Sequence, residues 1–471
     1  MKQNMMIIGA SLAMTLCSCA NDIEMRRPPV AELPDLPVVE DVHVYKAPLY
    51  WSVYEYCYDL EQNGVANADM DITIGEWDRI TDWVATDLKP YGYDMVCTDG
   101  FIPMNSNDDS GYMTHYGSAS LKELVEMCRS KGLKVGVYDN PLWIHGPEST
   151  KVPGTDYTFG SLAYNGSDAV MNPSSDDMWF KWVVASRPGA REYIDGFFKH
   201  YADLGINFIR MDFLSWYEDG KDRNLGTVGK GYGREEYARA LAYIAESAKK
   251  YGIFTSLVMP HLNNDAEVEA MYGNMVRIVA DTGNGGWGHC SANDRGVSYA
   301  NWPNCMNMFD GMTYWSHIAG RDKVILDGDF IRLNKFDTDA EKETVVTLQL
   351  IGGGPVAVAD QYSTIGDNTR FYTNSELLAL NTDRFVAHPL SDQLNSPDSR
   401  IWFGTMSDGS TVVALFNRDD SPASLSVDFA TLGLDGQRNI RDLWLHRDEA
   451  PATSVQVTVP AHGCKVYKLT K

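Results

Sequence analysis

The sequence predicts a (β/α)8 barrel followed by a C-terminal antiparallel β-sandwich, and three observations lead to this fold class. From about residue 49 onward, short apolar runs alternate with longer amphipathic stretches, and eight such strand-then-helix units suit a closed parallel barrel. After about residue 390 the pattern changes to short strands and turns. The length of 471 residues exceeds the usual size of a single core, which favours one large domain and a smaller one.

The eight predicted barrel strands are short runs rich in apolar residues. In chain order they read LYWSVYE, YDMVCTD, KVGVYDN, NFIRMDF, IFTSLVM, MVRIVAD, KVILDGD and PVAVAD. Helical patterns such as SLKELVEMCRSKG and GREEYARALAYIAESAKKYG lie between them, and several end in Gly after a basic residue. An open doubly wound sheet would alternate similarly, but no GxGxxG or Walker loop follows the first strand, so nucleotide binding has no support.

The barrel is predicted over residues 46–390 and the sandwich over residues 391–471. Within the sandwich, SDGS separates two alternating runs in RIWFGTMSDGSTVVALFN, which is a hairpin signal. We expect no helix in this region and assign it no chemistry.

The first 45 residues differ from the rest of the chain. MKQNMMIIGASLAMTLCSCAND combines an early Lys, a short apolar run and small residues, as a secretory signal does. It resembles a bacterial lipoprotein signal with LCSC as the lipobox. We therefore expect residues 1–18 to be removed, Cys19 to be acylated, and residues 19–45 to form a Pro-rich tether. The protein is expected to be exported and anchored to a bacterial membrane, in the periplasm or at the cell surface, through this lipid alone.

Charge and composition restrict the partners. The formal net charge of −24 repels phosphate backbones and argues against nucleic acid, so a neutral substrate fits best. Twelve Trp and twenty-five Tyr suit the apolar faces of sugar rings, although a place in the core or at its rim is the better explanation for any single one. The sequence contains no CxxC motif and no paired His/Cys spacing, so it gives no indication of a metal site. Export permits disulfides, and Cys290 with Cys305 is the nearest candidate pair, which spacing alone leaves open.

Acidic residues end most of the predicted strands, where barrel enzymes place their catalytic groups. One such residue caps a helix readily, but a near-complete ring exceeds what capping needs. In strand order the ring consists of Glu55, Asp99, Asp139, Asp212, Asp281, Asp327, Asp329 and Asp360. Paired carboxylates around an open pocket suit glycoside hydrolysis, in which one attacks the anomeric carbon and the other protonates the leaving oxygen.

Arg210 lies two residues before Asp212 in the fourth predicted strand. Because side chains alternate along a strand, both point the same way, into the mouth of the barrel. A guanidinium beside a nucleophilic carboxylate keeps that carboxylate ionised.

Several motifs together resemble the α-galactosidase clan of retaining glycoside hydrolases. They are LKELVEMCRSKGLKVGVYDN, GINFIRMD, VRIVADTGNGGW, LDGDF and the C-terminal DSPASLSVDFATLG with RDLWLH, in the order of the family. The resemblance covers most of the chain from about residue 75. It implies a retaining, exo-acting hydrolase of an oligo- or polysaccharide that needs no metal or organic cofactor.

The resemblance also implies roles for individual residues. Asp212 matches the nucleophile and Asp281 the acid/base. Substrate contacts are implied for Asp99, Tyr138 and Arg277, with Arg210 in place of the usual Lys of the family. We add to these contacts the strand-end Asp139, together with His261, Trp51 and Trp287, which lie at or near strand ends; for the two tryptophans a sugar platform and burial are both open.

The chain departs from the family in its sugar-reading residues. Thr98 stands where the first of two adjacent aspartates is usual, and Val258 and Met259 stand where a Glu and a Trp contact sugar. An α-galactoside or a related sugar, such as a β-L-arabinopyranoside, is compatible with the remainder. Two alternatives are a retired hydrolase that acts as a surface carbohydrate-binding lipoprotein and an inverting hydrolase.

Overall fold

Eight parallel strands form the centre of the molecule, in a computed structural model. The model describes residues 33, 36–163, 181–222, 226–229, 231–283, 285–293, 295–296, 298–299 and 302–471. The predicted signal peptide and Cys19 lie outside the described residues. Among the helices that are described, none has both the length and the apolar character needed to cross a bilayer.

The strands occur where the apolar runs predict them. They are β1 (Leu49–Ser52), β2 (Met95–Cys97), β3 (Lys134–Tyr138), β4 (Phe208–Met211), β5 (Phe254–Leu257), β6 (Met275–Arg277), β7 (Ile325–Asp327) and β8 (Val356–Val358). From β1 to β7 each strand pairs in parallel with the next strand in the chain, and β8 pairs in parallel with β1. Ile331, just after β7, bridges Val358 of β8 and closes the ring. The predicted barrel is confirmed.

The helices that cover the barrel follow the amphipathic patterns. They are α1 (Tyr54–Gln62), α2 (Ile74–Trp83), α3 (Leu121–Ser130), α4 (Ala190–Leu204), α5 (Leu214–Asp219), α6 (Arg234–Tyr251), α7 (Asn263–Tyr272), α8 (Met308–Trp315), α9 (Asp339–Ile351) and α10 (Ser375–Thr382). Short helices span Phe159–Leu162 and Thr369–Tyr372. Small antiparallel strands occupy the loops, at Met104–Asn105, His115–Tyr116, Ala119–Ser120, Trp143–Ile144, Lys181–Trp182, Lys221–Asp222, Gly226–Thr227, Ser298–Tyr299 and Trp302–Cys305.

The C-terminal domain consists of two antiparallel sheets, as predicted. Its strands are β9 (His388–Pro389), β10 (Ile401–Thr405), β11 (Thr411–Phe416), β12 (Ala423–Asp428), β13 (Arg438–Asp442), β14 (Arg447–Ala452), β15 (Ser454–Val459) and β16 (Cys464–Thr470). The larger sheet has the order β9-β10-β11-β16-β13-β14, and β12 pairs with β15. Two 3-10 turns, Pro397–Arg400 and Phe429–Leu432, depart from the expectation of no helix.

Residues 36–45 contact the barrel, which corrects the C-terminal end of the predicted tether. The Tyr45 ring packs edge-on against Phe254 at 5.6 Å, and His43 Nε2 lies 3.1 Å from the Gly273 carbonyl. The Asn274 amide donates to the Val42 carbonyl. Proline content predicted an extended tether but could not show that its last residues cover the amino-terminal ends of β5 and β6.

The cysteine pair left open by spacing is not formed. No disulfide joins Cys290 to Cys305, and both are buried, as are the other four cysteines in the described part of the chain. Burial also raises the pKa of Cys290 to about 12, which leaves this thiol protonated and unreactive at neutral pH.

Candidate active site

A cavity of about 490 Å³ opens at the carboxyl ends of the barrel strands, in the size range of small-molecule sites. Acidic and aromatic side chains dominate its lining. The acids are Glu61, Asp99, Asp139, Asp212, Asp281 and Asp329, and the aromatic residues are Tyr54, Tyr58, Phe101, Tyr138, Trp143, Phe213 and Phe330. Most of the strand-end ring therefore meets in one pocket.

Asp212 is held at the end of β4 by two hydrogen bonds. The Tyr138 hydroxyl donates to Asp212 Oδ2 at 2.8 Å, and the Phe213 amide donates to Oδ1 at 2.7 Å. Phe213 itself adopts a left-handed conformation, with φ of +61°, directly before α5 begins. The two bonds orient one carboxylate toward the cavity.

Arg210 lies beneath this carboxylate and is almost completely buried. Its guanidinium contacts Asp99 Oδ2 and Asp329 Oδ1, each at 3.3 Å, and its carbon Cζ lies 4.0 Å from the centre of the Phe330 ring. The planar fork of Arg reaches both acids at once, which the single ammonium of Lys would do less well. Arg210 is therefore an internal charge of the site, and it has its own counter-ions.

Asp281 lies on the other side of the pocket and is paired with Arg277. The side chain of Asp281 is 44% exposed, whereas Arg277 is 2% exposed. Arg277 also contacts Asp329 Oδ1 at 3.0 Å. Asp329 consequently joins the two arginines, one beneath each of the two predicted catalytic acids.

Burial and the neighbouring arginines shift the pKa of the carboxyls in opposite directions. Burial raises the pKa of Asp212 above its ordinary value, Arg210 opposes this rise, and Asp281 adds to it. Burial likewise raises the pKa of Asp99 to about 6, against the pull of Arg210. Carboxyls with perturbed pKa values in a cleft are typical of catalytic sites.

Comparison with known proteins identifies the family. Residues 396–469 match the α-galactosidase C-terminal β-sandwich domain. An isomalto-dextranase of Arthrobacter globiformis is 36% identical over 441 residues, which cover 90% of this chain and 67% of that protein. The solved structure of the Arthrobacter globiformis T6 isomalto-dextranase complexed with panose has a TM-score of 0.82 at 35% identity, with 94% of this chain and 76% of that chain covered.

This chain belongs to the α-galactosidase-like clan of glycoside hydrolases. The resemblance predicted from the sequence motifs is thus confirmed, and so is the assignment as an enzyme of this class. A GH27 β-L-arabinopyranosidase from Geobacillus stearothermophilus shares the fold, with a TM-score of 0.69 at 19% identity over 90% of this chain and 96% of that one.

Five of the residues predicted as substrate contacts lie at this pocket or in its walls. Asp99, Tyr138, Arg210 and Asp139 line the cavity of the hydrolase, and Arg277 supports Asp281 from below. Asp139 is itself buried. Its partners there are Tyr201, which donates to Oδ2 at 2.5 Å, and His145, whose Nε2 lies 3.0 Å from Oδ1.

Three predicted substrate contacts lie elsewhere in the hydrolase. Trp51 is 1% exposed, packs edge-on against Trp77 and donates from Nε1 to the Asp360 carbonyl at 2.8 Å. The Trp287 ring stacks on His462 of the C-terminal domain at 4.4 Å. His261 contacts Asp219, outside the cavity lining. Strand-end position predicted these residues, but it does not determine which side of a loop a side chain faces.

Two acids of the strand-end ring are structural. Asp360 accepts bonds from the Leu333 and Asn334 amides, and Glu55 pairs with the buried Arg332 at 2.9 Å. Both tie loops together at the barrel mouth, a structural role that differs from the helix capping weighed for strand-end acids.

The cavity also contains residues that the sequence reasoning did not assign. Phe330 packs on Arg210, and His145 contacts Asp139 on the cavity wall. Phe101 lies opposite, edge-on to Tyr54 at 5.6 Å. The only local signal was the position of Phe330 directly after Asp329 in the LDGDF motif.

Proposed function

We propose that the hydrolase acts by double displacement with retention, and that it attacks the ends of an α-linked glucan of the isomalto type. The observation that carries the mechanism is the placement of Asp212 and Asp281 on one cavity, each above an arginine that Asp329 joins to the other. Asp212 is held by hydrogen bonds from Tyr138 and the Phe213 amide, and Asp281 is paired with Arg277.

In this proposal the two acids have different tasks. Asp212, fixed by Tyr138 and the Phe213 amide, attacks the anomeric carbon while the bond from that carbon to the leaving oxygen breaks. Asp281, whose side chain is 44% exposed, gives its proton to that oxygen. It then removes a proton from the water that hydrolyses the glycosyl-enzyme, which restores both carboxyl groups.

The preference for a glucan rests on the relatives and on the altered sugar contacts. An isomalto-dextranase matches this chain over nearly its whole length, both in sequence and as a solved structure. Thr98 replaces an aspartate that the family uses with galactose, and Met259 lies in a loop whose side chains are buried. An α-galactoside or β-L-arabinopyranoside is the second candidate, favoured by the C-terminal domain match and the shared fold.

A substrate panel tests this proposal. Initial rates are measured on dextran, isomaltotriose, an aryl α-galactoside and an aryl β-L-arabinopyranoside, with wild type, Asp212→Asn, Asp281→Asn and the control Asp360→Asn. We expect turnover of the glucans, loss of turnover in the first two variants and unchanged turnover in the control, because Asp360 only caps a loop.

The outcomes separate the alternatives. Turnover of an aryl galactoside or arabinopyranoside alone would replace the glucan by the second candidate. Absence of turnover on every sugar, with sugar binding unchanged in Asp212→Asn, would favour the carbohydrate-binding lipoprotein. NMR of the first product anomer tests retention, since an inverted anomer would contradict the double displacement, and product size tests attack at chain ends.

We also propose that the enzyme is exported and lipid-anchored through Cys19. The support is the signal-like N-terminus with its LCSC lipobox. Membrane fractionation of cells that express wild type or Cys19→Ser tests this proposal. We expect the wild type in the membrane fraction and the variant outside it, and equal distribution of both would contradict the anchor.

A further inference from the structure

A group of three metal-ligating side chains lies outside the catalytic cavity. Glu218, Asp219 and His261 each offer one ligand atom, and these atoms lie within 4.8 Å of one another. Glu218 and Asp219 end α5, the helix that follows the Asp212 nucleophile, and His261 lies in the loop after β5. The two segments are far apart in the chain, so motif spacing gave no sign of the group.

Glu218 carries an unsatisfied buried oxygen within this group. The residue is 1% exposed, and its Oε1 accepts from Arg234 Nη1 at 3.0 Å. Its Oε2 is buried and has no hydrogen-bond partner within the part of the chain that the structure describes. A buried carboxylate oxygen without a donor is costly, and an unseen ion is one of the standard explanations.

The negative charge around the group exceeds the positive charge that balances it. Glu269 is fully buried beside Glu218, and Arg234 is the guanidinium that both acids share. A bound cation would supply the missing positive charge.

The loop that presents His261 adopts a strained conformation. Leu262, Asn264, Asp265 and Ala266 all have φ between +52° and +59°, which side chains other than Gly rarely adopt. Such strain persists only where the surroundings hold it, and ligation of His261 would hold this loop against α5.

The donor types select the class of ion. One imidazole and two carboxylates suit Zn²⁺ and related transition-metal ions better than Ca²⁺ or Mg²⁺, which prefer oxygen alone. Ligands about 2.0–2.2 Å from Zn²⁺ lie within about 4.4 Å of one another, so small side-chain rotations suffice from the present arrangement.

We propose that Glu218, Asp219 and His261 bind one divalent transition-metal ion of the Zn²⁺ class. The ion ties the helix after the nucleophile to the loop after β5 and has a structural role, without part in the chemistry at Asp212 and Asp281. This assignment also gives His261, a predicted sugar contact, a different task.

The test measures metal binding by the full chain. Protein stripped with a chelator is titrated with Zn²⁺ by calorimetry, and bound zinc is counted by elemental analysis after dialysis. The double variant Asp219→Asn/His261→Gln removes two ligands. The matched control is His317→Gln, because His317 forms a similar half-buried pair with Asp265 at 3.1 Å but belongs to no such group within the described residues.

We expect about one zinc per chain in wild type and control and almost none in the double variant, with a Zn²⁺-dependent rise in Tm in the first two only. Absence of saturable Zn²⁺ binding in wild type, or equal zinc in the double variant, would overturn the proposal. Binding of Ca²⁺ in preference to Zn²⁺ would overturn the ion class. If the double variant does not fold, anomalous diffraction at the zinc edge of wild-type crystals decides whether the ion lies on these ligands.

Discussion

Replacing Tyr138 by Phe tests how the site controls the charge of its nucleophile. The Tyr138 hydroxyl donates to Asp212 Oδ2 at 2.8 Å, and Phe removes this donor without changing the ring. A hydrogen bond to a charged group contributes about 1.5–3 kcal/mol. Because one pKa unit corresponds to about 1.36 kcal/mol, its loss should raise the pKa of Asp212 by about 1–2 units.

The pKa of Asp212 should rise in Tyr138→Phe, and not fall, because of the protonation state that Tyr138 stabilises. Tyr138 donates to the ionised carboxylate, so its removal favours the protonated form, in the same direction as burial, which already raises the pKa of Asp212. A protonated nucleophile does not attack. The variant should therefore lose activity progressively as the pH falls, while its rate on the plateau at higher pH changes far less.

The assay is the pH dependence of kcat/KM, which reports the free enzyme. We expect the acid limb of Tyr138→Phe to lie about 1–2 pH units above that of wild type. Tyr112→Phe is the matched control, because it loses a buried hydrogen bond to the Tyr193 carbonyl away from the cavity. An unmoved acid limb in Tyr138→Phe, or an equal shift in the control, would refute the reasoning.

Three further variants probe the supporting structure. Asp329→Asn leaves Arg210 and Arg277 each without one buried counter-ion, so denaturant unfolding should show a loss of about 3–5 kcal/mol; a loss below about 1 kcal/mol would contradict the network. Trp51→Phe should lower stability by about 1–3 kcal/mol with KM unchanged, and a raised KM would return Trp51 to the substrate. Burial raises the pKa of Asp360 to about 6, so ionisation of Asp360 destabilises the wild type as the pH rises from about 4 to 6. The unfolding free energy of Asp360→Asn relative to wild type should therefore rise by about 2 kcal/mol over that range, and a constant difference would exclude this effect.

The barrel could be predicted because the patterns that indicate it lie within short segments of the sequence. A run such as NFIRMDF is apolar enough to be buried on both faces, and β4 occupies Phe208–Met211 within it. The end of the predicted tether was different, since nothing in its composition shows that Tyr45 packs on Phe254.

The site could be predicted only where its residues are neighbours in the sequence. Arg210 and Asp212 lie two residues apart at the end of one strand, so the alternation of side chains is enough to place them on the same side. The position of Asp329 between Arg210 and Arg277 depends on how three strands lie around the ring, and DGD was equally compatible with a turn. Tryptophan content likewise cannot tell a sugar platform from a core residue, and the packing of Trp51 on Trp77 decides for the core.

The sequence by itself determined the fold class and the chemistry, because hydrophobic periodicity and strand-end carboxylates are properties of short segments. Only the tertiary structure decided which of those carboxylates share a cavity and which tie loops together. It also placed Glu218 and Asp219 beside His261. Such groupings depend on strand register and on left-handed loop residues, which bring distant segments into contact and leave no repeating pattern in the sequence.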